Sequence, residues 1–519
     1  LVYQFQFRRW LRTQALVPAL ALSIIIAGAF FSPLDARADA VAGAQALHDA
    51  QSFFQSGQYF RAARYGFAAS QEDPGLKAES YSWITVSLTR AGLPNAASYF
   101  FIRTLQSDNN RAIRRVLTET QALIDKVGAD LLRKYLIRHT RYEDYDLANR
   151  SAYLYALGKD ALLADSPDRA IGYINGIKSG TNVYPYALEL RGSAFAISGK
   201  NDQAIHDFKE CQDVAKGMDL RARCIAGQAR TLYQMDQFEE ADRVYDQIPK
   251  QSLSWPDILF EQGWNSFAKQ EYNRTLGKLV SYKSPALKFV YNSEIDVLRA
   301  QSFLALCLYS DANKVINEFN SRYTPVGEQI KAMVEQNGSN LDYFYNQGKA
   351  ALADSIYTNI GVHQFMNRFI RGPYFQDLVK SERSSANELT TTRQFSRMES
   401  GSGKNLEAGF PGFLEQVLRW RVHTIRALGG AYVKNSSLDY YANLLSNFDK
   451  MSFIKLEMLR RAKDKLIYKN AQTADRSRGN IEPSRRDDQM YWSFNGEFWN
   501  DELGDYVFGL ESECNASSP

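Results

Sequence analysis

Histidine is scarce, five in 519 residues, and His48, His139, His206, His363 and His423 are scattered, none in a local metal-binding motif. No metal site is expected, and no cofactor. Four cysteines are too few for a disulfide-rich scaffold. Glycine and proline are sparse, at 32 and 14, and alternating strand patterns are hard to find, which predicts an all-helical chain. A phosphate-cradling loop is missing as well: Gly403-Lys404 lacks both the glycine five residues earlier and the Ser or Thr that should follow. Neither sign of charge dominates, with 62 basic against 58 acidic residues, which argues against a nucleic-acid partner. Beyond residue 40 no apolar run is long enough to cross a bilayer.

What is present begins with an export signal. Arg8, Arg9 and Arg12 precede an apolar run from Ala15 to Phe31 broken only by Ser23, and the small-x-small sites Ala36-Arg37-Ala38 and Ala38-Asp39-Ala40 follow. Residues 1–40 therefore read as a cleavable signal peptide, placing the mature chain in the periplasm or elsewhere in the cell envelope. Membrane contact is expected only through partners or an uncleaved signal. An exported chain permits disulfides. Cys211 and Cys224 flank a turn at Gly217 and would face each other on antiparallel helices; they are either bridged or two small buried residues at a helix contact.

An internal period organises the next 280 residues. Gly57, Tyr59, Ala62, Ala69 and Pro74 begin it, with Ala96 and Phe100 placed 34 residues after Ala62 and Gly66. Ala170 and Ala204 are 34 apart, Ala241, Thr275 and Ala312 continue the register, and Phe208, Phe238, Tyr245, Tyr272 and Tyr309 supply aromatics around it. About seven units are expected between 41 and 325, with a divergent helix pair at 111–150.

These residues resemble the tetratricopeptide repeat, a 34-residue helix–turn–helix whose small positions allow close helix approach. The resemblance implies an all-α superhelical solenoid in which neighbouring pairs make the core, the first helix of each lining a concave wall. Carried onto this sequence, the wall positions are Tyr155, Lys159, Tyr186, Glu189, Arg223, Arg230, Tyr233, Phe260 and Trp264. Aromatic and arginine side chains are good interface anchors. The Lys and Asn arrangement of the family's carboxylate clamp is not supplied, so binding of chaperone tails is not implied.

Residues 326–470 read as a helical C-terminal extension that caps the solenoid, interrupted by a polar loop at 383–411 that contains Ser400-Gly401-Ser402-Gly403. A polar linker is expected at 471–489 and an aromatic tail at 490–519. Seven aromatics crowd Tyr491 to Phe508, a density suited to docking, and Trp492, Phe494, Phe498 and Trp499 are its candidate contact residues. The tail either seals an apolar end of its own solenoid or docks on another molecule. Its Asn-Gly-Glu-Phe-Trp-Asn-Asp-Glu-Leu-Gly run is similar to tails of envelope repeat proteins from gliding and predatory bacteria.

For catalysis the one competing reading starts at Glu399-Ser400, which resembles the acid motif of lytic transglycosylases, cell-wall enzymes that pair a helical superhelix with a catalytic domain. The surroundings do not match: no Gly-Leu-Met-Gln follows, and Ala431-Tyr432-Val433 departs from the family's Ala-Tyr-Asn. The expected function is a non-enzymatic scaffold with no catalytic residues, holding other envelope proteins within a motility, secretion or cell-wall assembly and taking no small-molecule substrate.

Overall fold

The computed structural model describes residues 35–355, 361–398, 405–465 and 483–514. The chain is all-α: among the described residues the only strands are Trp492–Ser493 and Tyr506–Val507, a two-residue parallel pairing. It divides into two compact units. The first takes its described residues from Phe7–Ala194 and Pro373–Gly429, the second from Phe195–Gly372 and Gly430–Pro519. No helix among the described residues is long and apolar enough to cross a membrane.

One corner recurs in both units. Gly57, Gly92 and Asp165 in the first, and Gly199, Asp236, Gln270 and Cys307 in the second, have φ between +57° and +78°. At each corner the next residue's N–H donates to the carbonyl five positions back: Gln58 to Phe53, Leu93 to Leu88, Ser166 to Ala161, Lys200 to Phe195, Gln237 to Leu232, Glu271 to Ser266 and Leu308 to Phe303, all at 2.9–3.0 Å. This is the Schellman way of satisfying the last carbonyls of a helix, with the left-handed residue turning the chain. A second helix starts two residues beyond it every time, at Tyr59, Pro94, Pro167, Asn201, Phe238, Tyr272 and Tyr309.

Five residues past each left-handed position stands a small side chain with 0% exposure: Ala62, Ala97, Ala170, Ala204, Ala241, Thr275 and Ala312. These are the small positions of the repeat, with one correction of register. The equivalent of Ala62 is Ala97 rather than Ala96, because the unit starting at Tyr59 is 35 residues long; Ala96 is buried beside it. Close approach explains the choice of residue. A Cβ on Gly158 would sit 2.6 Å from Ile174 Cγ1, and one on Gly227 2.4 Å from Phe208 Cε1. Thr275 fits where alanine is usual because its hydroxyl donates to a carbonyl, Gly263 at 3.3 Å or Glu271 at 3.2 Å.

In the first unit, helices Asp35–Gln55, Tyr59–Glu72, Lys77–Arg90 and Pro94–Leu105 form two pairs, and Arg150–Leu163 with Pro167–Ile174 a third. Both small-x-small sites fall within Asp35–Gln55; the remainder of the expected signal peptide, 1–34, lies outside the described residues. Between the pairs, the expected divergent helix pair at 111–150 is instead three short helices, Asn110–Leu117, Thr120–Val127 and Ala129–His139. Gly128, at φ +100°, separates the last two.

The stretch expected as a polar loop at 383–411 is helical wherever it is described, in Pro373–Met398 and the start of Asn405–Lys465. Its polarity misleads because the hydroxyls turn back on their own helix: Ser385 donates to the Ser381 carbonyl at 2.8 Å, Thr390 to Ala386 at 3.3 Å and Thr391 to Asn387 at 3.1 Å. Residues 399–404, with Glu399, lie outside the described residues. Before Gly430 these helices do not cap the last repeat as expected but pack on the first pairs. Phe395 stacks on Phe60 with ring centroids 4.6 Å apart, Phe410 meets Phe67 at 5.2 Å, and Leu414 and Leu418 join the core of the first pairs.

In the second unit Asn201–Val214 packs on Met218–Gln234, and three helix pairs follow: Met218–Gln234 with Phe238–Tyr245, Trp255–Ala268 with Tyr272–Val280, and Glu294–Ala305 with Tyr309–Asn337. The unit holds Tyr184–Ile197 from Phe195 onward. The later part of Asn405–Lys465 packs Tyr440 against Phe365 and Phe448 against Phe319. Cys211 and Cys224 are bonded across a turn in which Gly217 has φ +105°. Cys307 and Cys514 form a second disulfide that residue spacing did not indicate. Denatured, unreduced protein should therefore titrate no thiol with maleimide, and two reactive thiols per chain would contradict one of the two pairings.

Candidate partner-binding surfaces

The expected wall residues separate by unit. In the first, Tyr155, Lys159 and Glu189 are half-buried and Tyr186 is 43% exposed. In the second, Arg223 and Tyr233 are half-buried, with the Tyr233 ring edge-on to Phe238 at 5.3 Å and its hydroxyl pKa raised by burial. Two assignments need correcting. Phe260 is 4% exposed and belongs to the core, meeting Trp264 edge-on at 6.4 Å. Arg230 is committed to Glu261, donating from Nε at 2.9 Å and from Nη2 at 2.7 Å, while the Tyr245 hydroxyl donates to the same carboxylate at 3.1 Å. Trp264 remains a candidate through its half-buried ring; its indole N–H is turned inward, away from solvent.

Near Glu261 the second unit gathers charged and phenolic groups that periodicity did not single out. Asp257 is solvent-accessible yet densely surrounded; burial raises its pKa, Glu261 adds to the rise, and Arg368 and Arg230 oppose it. Arg368, from helix Gly361–Ile370, lies over the Tyr440 ring at 5.4 Å with the phenol oxygen 3.5 Å from Nη1. Among the described residues no carboxylate is within ion-pair distance of Arg368. The wall position 260 pointed at this helix but missed the neighbouring acids, and Arg368 comes from more than a hundred residues away. Such a group can receive a carboxylate; it holds no nucleophile paired with a base.

On helix Asn201–Val214, His206, Asp207 and Glu210 bring one ligand atom each within 4.8 Å of one another. This local cluster was not read from the sequence. The expectation of no metal rests on the absence of a longer motif.

The tail is laid down on its own unit. Phe508 N–H donates to the Asn273 carbonyl at 3.1 Å, and the Asn273 side chain grips Leu510 by both backbone groups, at 3.0 Å each. Gly504 N–H donates to Ser281 Oγ at 3.0 Å, and Lys250 donates to the Asp501 carbonyl at 2.6 Å and to Asp505 at 2.8 Å. Leu503, Tyr506, Val507, Phe508 and Leu510 are buried, and the disulfide to Cys307 fixes the end. Of the linker expected at 471–489, residues 471–482 lie outside the described residues; the rest is tied down, with Arg486 paired to Asp246 at 2.7 Å and Arg274 donating to the Ser484 carbonyl.

The tail's aromatics thus divide. Tyr506 and Phe508 face inward, Phe494 and Phe498 are half-buried against each other at 5.1 Å, and Trp492 and Trp499 stand 44% and 57% exposed. Compared with known proteins, the chain matches no family model and no curated protein.

Proposed function

We propose that the chain is an exported, non-catalytic scaffold whose helix pairs stack as a tetratricopeptide-type solenoid and hold other envelope proteins. The observation that carries this reading is the sevenfold recurrence of one corner, a left-handed residue, a Schellman bond and a fully buried small side chain five residues on. A helix pair of this kind buries only part of its apolar face, and arrays of them serve to present side chains to partners. Two cysteine pairs and no free cysteine among the described residues are compatible with an oxidising compartment, as an export signal requires.

On this reading Tyr155, Tyr186 and Trp264 on the helix pairs, and Trp492 and Trp499 on the tail, are the anchors, being rings that present large contact areas. Photo-crosslinking in intact cells tests it. A photoreactive residue placed at Trp264, Trp492 or Trp499 should give discrete protein adducts, and one at the outlying Leu147, 72% exposed, should not. Absence of adducts from all three positions, or release of soluble muropeptides from peptidoglycan by the purified protein, would overturn it.

A further inference from the structure

The long helix Asn405–Lys465 carries two apolar faces in its later part, only one of which the unit uses. Leu444, Met451, Ile454 and Met458 point into the core. On the other side, Leu438 is 40% exposed, Leu445 48%, Phe453 71%, Leu456 63% and Leu459 46%. At 3.6 residues per turn these five fall within about a third of the helix circumference. They form a strip along one side of the helix, crossed between Leu445 and Phe453 by the exposed Asp449 and Ser452, and unlike the single exposed apolar residues common on soluble surfaces.

Charge is distributed unevenly along that strip. Its first half carries the exposed acid Asp439, and at its middle Asp449 stands beside Lys450, a part-exposed base 3.2 Å from Glu294. Its second half carries the exposed bases Lys455, Arg460 and Arg461 against one acid, Glu457, which the two arginines share at 2.6–2.8 Å. A parallel partner of the same sequence would set acid beside acid. An antiparallel copy sets Asp439 of each helix against Arg460 of the other, twice, and Asp449 against Lys450 at the centre, while the leucines and Phe453 interleave.

We infer that this strip is a self-association surface, on which the helix of a second copy of the chain lies antiparallel. The paired segment, from Leu438 to Arg461, is about 36 Å long at 1.5 Å per residue. An interface one helix wide and of that length falls at the small end of specific interfaces, so the dimer should assemble in the micromolar range.

Sedimentation of the full, oxidised chain between roughly 1 and 200 μM, a range bracketing that affinity, tests the inference. The expected result is a shift from monomer to dimer mass across the range. Phe453→Glu with Leu456→Glu should hold the chain at monomer mass with its melting temperature unchanged, since both side chains are largely exposed; Leu445→Glu is the independent second variant. Orientation is tested by charge: Lys455→Glu with Arg460→Glu should weaken association about tenfold, and adding Asp439→Lys, the residue opposite Arg460 in an antiparallel pair, should restore part of it. A chain that stays monomeric at the highest concentration overturns the inference, whether or not it sediments with anionic lipid vesicles, and so does a dimer that the apolar-to-glutamate variants leave intact.

Discussion

Gly277→Ala should dislodge the tail. A Cβ at this position would lie 1.9 Å from the Tyr506 carbonyl oxygen and 2.4 Å from its carbon, a contact with backbone that no side-chain rotation relieves. Glycine is needed in helix Tyr272–Val280 because the tail's main chain rests directly on it. Overpacking of this kind costs about 1–3 kcal/mol where neighbours can shift; here the neighbour is a docked segment that can leave. The disulfide to Cys307 tethers only its end, so combining Gly277→Ala with Cys514→Ser should free it entirely. Trypsin reports the outcome: cleavage at Arg486, held by Asp246 in the native chain, should accelerate by an order of magnitude or more, on the scale of about 1.4 kcal/mol per tenfold in an opening equilibrium. Gly172→Ala is the control. It meets nothing within 4 Å on helix Pro167–Ile174 and should stabilise by up to about 1 kcal/mol through helix propensity. An unchanged cleavage rate for Gly277→Ala would mean that the tail is not seated as described.

The contrast between Gly277 and the repeat positions shows what residue patterns carry. Small residues every 34 to 37 positions were legible because the same corner recurs ahead of each, and Ala170, Ala204 and Ala241, five residues past their corners, are all fully buried. The corners were visible where glycine occupied them, at Gly57 and Gly199, and hidden at Asp165, Asp236, Gln270 and Cys307, where residues with a Cβ accept the left-handed conformation. Non-local pairings leave no periodic trace. Cys307 meets Cys514 across 207 residues, and Asn273, which clamps the tail at Leu510, reads in the sequence as an ordinary polar helix residue. The aromatic tail was recognised as a docking segment; that it docks on its own unit depends on Gly277, Asn273 and Ser281, none of which carries a pattern. Polar residues misled most at 383–398, where a loop-like composition forms a helix that buries Ser385, Glu388 and Thr392 and turns the exposed Thr390 hydroxyl back on its own backbone.

Glu388 is the buried acid on which the largest change in the first unit is expected. It leaves helix Pro373–Met398 to reach the start of helix Pro94–Leu105, accepting from the Asn95 and Ala96 backbone N–H groups at 2.9 and 3.0 Å and from the Asn95 amide at 2.7 Å. A carboxylate there satisfies helix-end donors and meets the positive end of the helix dipole. Arg421 is buried nearby, with Nε and Nη2 lacking hydrogen-bond partners, and burial lowers its pKa to about 10, so it stays charged through neutral pH. Glu388→Ala removes the acceptor for three donors and the counter-charge of Arg421 together, which should destabilise the unit by about 3–5 kcal/mol. Glu388→Gln keeps an acceptor oxygen and should cost less. The two variants also separate by pH. Burial raises the Glu388 pKa from its ordinary 4.5 to about 7, against the pull of the three hydrogen bonds and of Arg421. A raised carboxyl pKa means that folding favours the protonated form: its contribution is complete below about pH 4.5 and is lost as pH rises through about 7. Melting curves between those limits and pH 8 should therefore show wild type losing stability relative to Glu388→Gln as pH increases, and parallel curves for the two proteins would place the proton elsewhere.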